Sequence, residues 1–250
     1  MANVATRSME IKMFSKANAS MLLEDSNTLN VLADKAFRRF NGTDPTSRQW
    51  YPYFWNLSRS ESREGFGKLA EAVLSNPEGR VATVTIRGKP AGFAVVTGFG
   101  IFLDAQEKMG SRAVEKSEDY ADVNKLLKRY EKTAAGYGVR LEQLSYFADI
   151  AVARKVECRG VGTALVRTSI VEVRSMGKEG WMAWTVQPAM AHILAKEGAT
   201  EIPRLGRTGK GIDFAVQEST GMIVPTVSAP DGEHGKAVAR HFIFVGLQRS

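Results

Sequence analysis

"CRGVGTALVR", Cys158 to Arg167, sets two glycines two positions apart behind an arginine. Upstream lies "LSYFADIAVA", Leu144 to Ala153, a nearly continuous apolar run that predicts a buried strand. Downstream, Leu165, Val166, Ile170, Val173 and Met176 recur at helical spacing, predicting a helix over Gly162 to Met176. Arg167, Arg174 and Lys178 fall on the opposite, wet side, and Val171 is out of pattern. The stretch is therefore a strand-to-helix turn. Glycine at such an entry serves where backbone must come close to something, and the unpaired amides of a first helical turn suit an anion.

Two phosphate-loop readings fail on their spacing. A dinucleotide fingerprint needs a third glycine where Leu165 stands, and an acidic end to the next strand, which "WMAWTVQ" lacks. A Walker-type loop needs Gly-Lys-Ser/Thr. The nearest match, "GRTGKG" at Gly206 to Gly211, continues Lys210 with Gly211 and reads as a hairpin turn.

Outward from the turn, elements alternate. "GWMAWTVQ" predicts a strand and "PAMAHILAKEGA" a short helix, with Pro188 at its start and Gly198 at its stop. Before the central strand, "RVATVTIRGKPAGFAVVTGFG" predicts a hairpin about Arg87-Gly88-Lys89-Pro90. "TRSMEIKMF" suits a first strand. Two helices follow, one capped by Ser26 or Asn27 and ending at Asn41-Gly42, the other capped by Ser60 and running through Leu74. The last fifty residues read as further strands, "RHFIFVGLQ" the clearest, so the class is α/β or α+β.

Arg159-Gly160-Val161-Gly162-Thr163-Ala164 resembles the Arg/Gln-x-x-Gly-x-Gly/Ala motif of the GCN5-related N-acetyltransferase (GNAT) superfamily. "YFADIAVA" looks like that family's fourth strand, and "GKPAGFAVVTG" like its second-to-third strand hairpin. "GWMAWTVQPAMAHILAKEGA" is similar to its fifth strand and fourth helix, keeping Lys196 and Gly198. The resemblance covers roughly Arg80 to Ala199. It implies a central mixed, mostly antiparallel twisted sheet flanked by helices. A charged helical insertion, about 101–143, would separate the third and fourth strands, and one domain would span 1–250 with its core at about 80–200.

The implied chemistry is transfer of an acyl group, acetyl foremost, from acyl-CoA to a primary amine by direct attack, with acetyl-CoA as co-substrate and no metal. Strand amides of Ile150, Ala151 and Val152 would bind the pantetheine arm. Arg159 and the amides of Gly160, Val161, Gly162, Thr163 and Ala164 would hold the pyrophosphate, with Gly162 and Ala164 small so that phosphate oxygens can approach. Asp149, a carboxylate inside the strand, would deprotonate the attacking ammonium, with a hydrogen-bonded strand carboxylate as the equal alternative. The chain departs from the family at Leu194, which stands where many relatives carry the tyrosine proposed to protonate the leaving thiolate. A second expectation keeps the fold but takes the amine on a nucleic acid or its protein partner. A third is a degenerate CoA-binding module.

Composition bounds these readings. Apolar residues make up 44% of the 250, enough for a sizeable core. Lys and Arg exceed Asp and Glu by 34 − 27 = 7, a modest excess that suits an anionic ligand without a nucleic-acid signature. With a single cysteine, Cys158, no intrachain disulfide forms, and a cytoplasmic protein is expected with no membrane segment. His192, His234 and His241 show no metal spacing. Cys158 reads as incidental and Glu157 as a solvated loop residue. "WYPYFW", Trp50 to Trp55, suits an acceptor-pocket wall, a base-stacking surface or a loop anchor.

Overall fold

The computed structural model describes residues 9–42, 59–102, 104, 140–185, 188–201, 212–216, 223–225 and 237–247. The aromatic run at 50–55, most of the insertion, the 206–211 turn, Gln187 and His234 lie outside the described residues.

Strand β1 (Met9–Phe14) leads through a 3₁₀ turn to the short α1 (Ser20–Leu23) and then α2 (Ser26–Gly42). Asp25 is the residue that caps α2: its Oδ1 accepts from the Thr28 amide at 2.9 Å. The expected caps, Ser26 and Asn27, already sit inside the helix. Helix α3 (Arg59–Leu74) begins one residue before Ser60, so Ser60 is in its first turn. A salt bridge from Arg63 Nε to Asp34 Oδ1, 2.7 Å long, ties α2 to α3.

The hairpin of β2 (Arg80–Ile86) and β3 (Lys89–Gly98) closes on Arg87 and Gly88, with φ of 52° and 71°. Two positive φ values in a two-residue loop match the right-handed twist of the flanking strands. After Leu141–Gln143 come β4 (Leu144–Val152), α4 (Val161–Ser175), β5 (Gly180–Thr185) and α5 (Pro188–Lys196). Gly198, at φ 89°, stops α5. Its amide donates to the Ala195 carbonyl and that of Ala199 to the Leu194 carbonyl, the paired bonds of a left-handed helix end. The chain finishes in β6 (Thr200–Glu201), β7 (Ile212–Val216), β8 (Ile223–Pro225) and the long β9 (Ala237–Leu247).

These strands form one twisted sheet in the order β1-β2-β3-β4-β5-β9-β7-β8, with β6 also on β9. Every described pair is antiparallel except β4 with β5. Helices cover both faces, as the mixed, mostly antiparallel expectation required. One face carries α1, α2 and α3, whose Leu22, Leu32, Phe66, Leu69 and Val73 pack on Phe93, Val95, Tyr146 and Met182. The other carries α4 and α5, whose Val166, Ile170, Val173 and Leu194 pack on Val96, Phe147, Trp181 and Ala183. Helix α4 buries the predicted stripe and leaves Val171 62% exposed, the exception the sequence showed. Lys178 departs from expectation. It lies past the end of α4, where its ammonium meets Glu78 at 2.7 Å.

Candidate active site

The parallel pair β4–β5 splits partway along. Leu144 to Phe147 run beside Gly180 to Ala183, and there the pairing ends. Among the described residues, strand β5 continues through Trp184 and Thr185 paired with β9 only, while β4 continues to Val152 paired with β3 only. The two strands thus form a fork inside the sheet, with one edge of β4 turned towards it.

A bulge marks the splitting point. Val95 of β3 sits opposite Asp149, and Val96 opposite Phe147, so Ala148 is an extra residue in β4. Such an insertion bends a strand and raises its twist. It also reverses which residues face which side. Phe147 and Ile150, three apart, both pack on the α4–α5 face. Tyr146 and Ala151 lie on the face of α1, α2 and α3, and so does Asp149 between them. Without the bulge Asp149 would share the side of Phe147. Tyr146 is buried, edge-on to Phe99 with ring centroids 4.9 Å apart. Burial, and secondly the nearby Asp149 charge, push its phenol far above the usual range, so it stays neutral.

Not all of the three strand amides can face the fork. The Ala153 amide bonds the Ala91 carbonyl at 2.7 Å. In an antiparallel ladder successive residues point their backbone groups to opposite edges. With that register, Ala151 spends its groups on β3, and Ile150 and Val152 point away from it. Gly92 agrees: a Cβ there would come within 2.6 Å of the Ala151 carbonyl oxygen. The expected set of Ile150, Ala151 and Val152 therefore reduces to Ile150 and Val152.

The β4–α4 turn brings the glycine motif to the open end of β4. Gly160 precedes α4 with φ 80°, a conformation glycine adopts freely, and contributes no side-chain cap. The Ala164 amide already donates to the Gly160 carbonyl at 2.9 Å, the first bond of the helix. Amides without an intrahelical acceptor are thus those of Gly160, Val161, Gly162 and Thr163, and Ala164 drops from the expected cradle. A Cβ at Gly162 would meet Ile193 Cδ1 at 3.4 Å and Val152 Cγ2 at 3.8 Å, so α5 and the end of β4 both lie beside the start of α4 at van der Waals range. Arg159 is exposed on the same turn.

Helix α5 also corrects an expectation. Leu194, expected near the thiol, has no exposure and packs among Val166, Ile170 and Trp181. Its neighbour Ile193 lies beside Gly162 at the start of α4. His192, Cys158 and Glu157 are exposed. Among the described residues no group of three His, Cys, Asp or Glu is placed to hold a metal, and no helix is long and apolar enough to cross a membrane.

The bulge was the functional feature missed from sequence. Its signal was there: the apolar positions Phe147, Ile150 and Val152 step by three and then two, a break in strand period.

No protein-family model matches the sequence, and no curated protein matches it. Solved structures do share the fold. A Drosophila melanogaster polyamine N-acetyltransferase, which forms N-acetylagmatine, aligns over 96% of this chain and 100% of its own, at 12% identity and TM-score 0.55. A mosquito arylalkylamine N-acetyltransferase-like protein aligns over the same shares at 11% identity and TM-score 0.55. The PaiA N-acetyltransferase of Thermoplasma acidophilum, solved with coenzyme A, aligns over 96% and 99% at 10% identity and TM-score 0.48. At these identities the likeness is one of architecture: the chain has the GNAT fold.

Proposed function

We propose that this protein is an acyl-CoA-dependent N-acyltransferase, one domain over 1–250, that moves acetyl from acetyl-CoA to a primary amine. The observation that carries the reading is the fork, with the first-turn amides of α4, which have no intrahelical acceptor, at its open end. A pantetheine arm is an extended chain of amides. It would pair with Ile150 and Val152 as an added strand, and its pyrophosphate would meet the amides of Gly160 to Thr163, helped by the helix dipole.

Asp149 faces the side of α1, α2 and α3. A neutral primary amine arriving from there would attack the thioester carbon and give the proton it sheds on forming the N–C bond to this carboxylate. A strand amide at the fork would hold the resulting oxyanion. The acceptor is an amine, in line with the polyamine and arylalkylamine enzymes of the same fold. One exposed cysteine suits a reducing compartment, so the reading places the protein in the cytoplasm.

Thermal unfolding with acetyl-CoA and with CoA tests this. A ligand at about 100 times its Kd adds about 2.7 kcal/mol of stability, so Tm should rise. No rise with millimolar acetyl-CoA or longer acyl-CoAs would overturn the reading.

A further inference from the structure

The fold leaves Leu194 in an apolar cluster, so a hydroxyl for the leaving sulfur must come from elsewhere. Among the described side chains of β5 and α5, one is both polar and buried: Thr185, at 9% exposure. His192 and Lys196 of α5 point to solvent. Thr185 ends β5, two residues beyond Ala183, the last to pair with β4. It remains in the β9 ladder opposite Phe242, so its place is fixed by the sheet.

Alternation sets its direction. Trp181 and Ala183 face α4 and α5, and β5 pairs with β9 without a register shift. Thr185 therefore faces the same side. Asp149, across the fork on β4, faces the other. One arm of the fork thus carries a carboxylate on one face of the sheet, and the other arm a hydroxyl on the opposite face.

We infer that Thr185 is a catalytic residue whose hydroxyl donates a hydrogen bond to the thioester sulfur as it leaves. This rests on the acyl-CoA reading above. In the step, the amine nitrogen forms a bond to the acyl carbon and gives a proton to Asp149. The C–S bond breaks and its electron pair stays on sulfur. Thr185 keeps its proton, and the CoA thiolate takes one from solvent. A hydrogen bond made only to developing charge favours the transition state over the ground state. A hydroxyl turns about its C–O bond, so a bond that Thr185 makes in the protein alone does not stand in the way.

The test needs no acceptor. CoA bound to the protein is titrated by ultraviolet absorbance of its thiolate, with the spectrum of the protein alone subtracted to remove Cys158 and the tyrosines. In wild type the bound thiol should titrate about one unit below free CoA, because a donor favours the charged form. Thr185→Val, close in shape, should return it to the free value, and Thr185→Ser should keep the depression. CoA that binds all three with one unchanged thiol pKa overturns the role of Thr185 and leaves the acyl-CoA reading standing. A wild type that binds no CoA overturns both. Should Thr185→Val fail to fold, Thr185→Cys and Thr185→Ser carry the same comparison, and equal thiol pKa values in both and in wild type would sink the role.

Discussion

The two halves of β4 have the same neighbours in sequence and opposite conditions in space. From Ser145 to Phe147 the strand is paired on both edges, and it is clamped at its start. Lys178 bonds Glu78, Arg80 bonds Glu172 at 2.6 Å, Arg140 pairs with Glu179, and the Glu179 amide meets the Gln143 carbonyl. From Ala148 to Val152 it is paired on one edge, and the exposed turn of Lys155 to Gly160 follows. The contrast separates tasks. The clamped half holds β5 and α4 at fixed distance. Because it does, the other half can keep one edge without a strand partner among the described residues, with Asp149 on it.

The sharpest way to break this division is at Asp149. Asp149→Asn should cut turnover of acetyl-CoA with primary amines by about a hundred- to ten-thousand-fold. Tm and CoA affinity should stay near wild type. Unchanged turnover would move the base elsewhere and leave the open half a binding surface only.

In the clamped half the largest effect belongs to Gly246. Its partner Trp181 lies across it, and a Cβ there would fall 2.3 Å from the indole. The ring is buried and stands edge-on to Phe147. Gly246→Ala should cost about 1–3 kcal/mol by overpacking, seen as a lower denaturant midpoint followed by tryptophan fluorescence. A neutral result would mean the indole turns aside freely.

A smaller loss is expected from Arg80→Met. It strands Glu172, which is 29% exposed and so still partly solvated. About 1–2 kcal/mol should be lost in urea unfolding, with CoA affinity unchanged. A loss of affinity without loss of stability would show that the clamp also shapes the fork.

The smallest change lies outside both halves. Asp25→Ala removes the α2 cap and should cost about 1 kcal/mol at neutral pH. Thr28, by its side chain and its amide, holds the Asp25 carboxyl below its ordinary value of 3.8. A carboxylate with a depressed folded pKa stabilises above its ordinary value and loses that as pH falls through the depressed one. The gap between wild type and Asp25→Ala should therefore close in acid. A gap independent of pH would assign the loss to helix propensity instead.

Much of this was legible in the sequence. The apolar run at Leu144 to Val152, the stripe from Leu165 to Val173 and the Arg87-Gly88 turn are local signals, and each gave its element. Val171 even showed as the exposed exception. What could not be read depends on partners. Amides of Ala151 and Ala164 look available in a sequence, but one is taken by the neighbouring strand and the other by the helix it begins. Nor does the sequence place Ile193 beside Gly162, a proximity made by α5 folding back on the start of α4. The position of Leu194 in its helix says nothing of what packs around it. Asp25 does not stand out as a cap in the sequence because Ser26 and Asn27 offer the same chemistry one and two residues later.

Ala148 has a consequence for how this chain is compared with others. A strand is a two-letter rhythm, and one surplus residue shifts its phase for everything after it. Deleting Ala148 alone would restore the rhythm and leave Asp149, Ile150 and Val152 on the faces they now occupy, whereas drawing Ala148 into the regular ladder would turn Asp149 to the α4–α5 face and send Ile150 and Val152 to the other. Composition and length would hardly register the loss. An alignment that slides one residue here would score almost as well, yet it would name the wrong carboxylate neighbour and the wrong wall of the fork. In this strand identity by position is a weaker guide than parity, and related chains are better matched from the bulge outward in each direction.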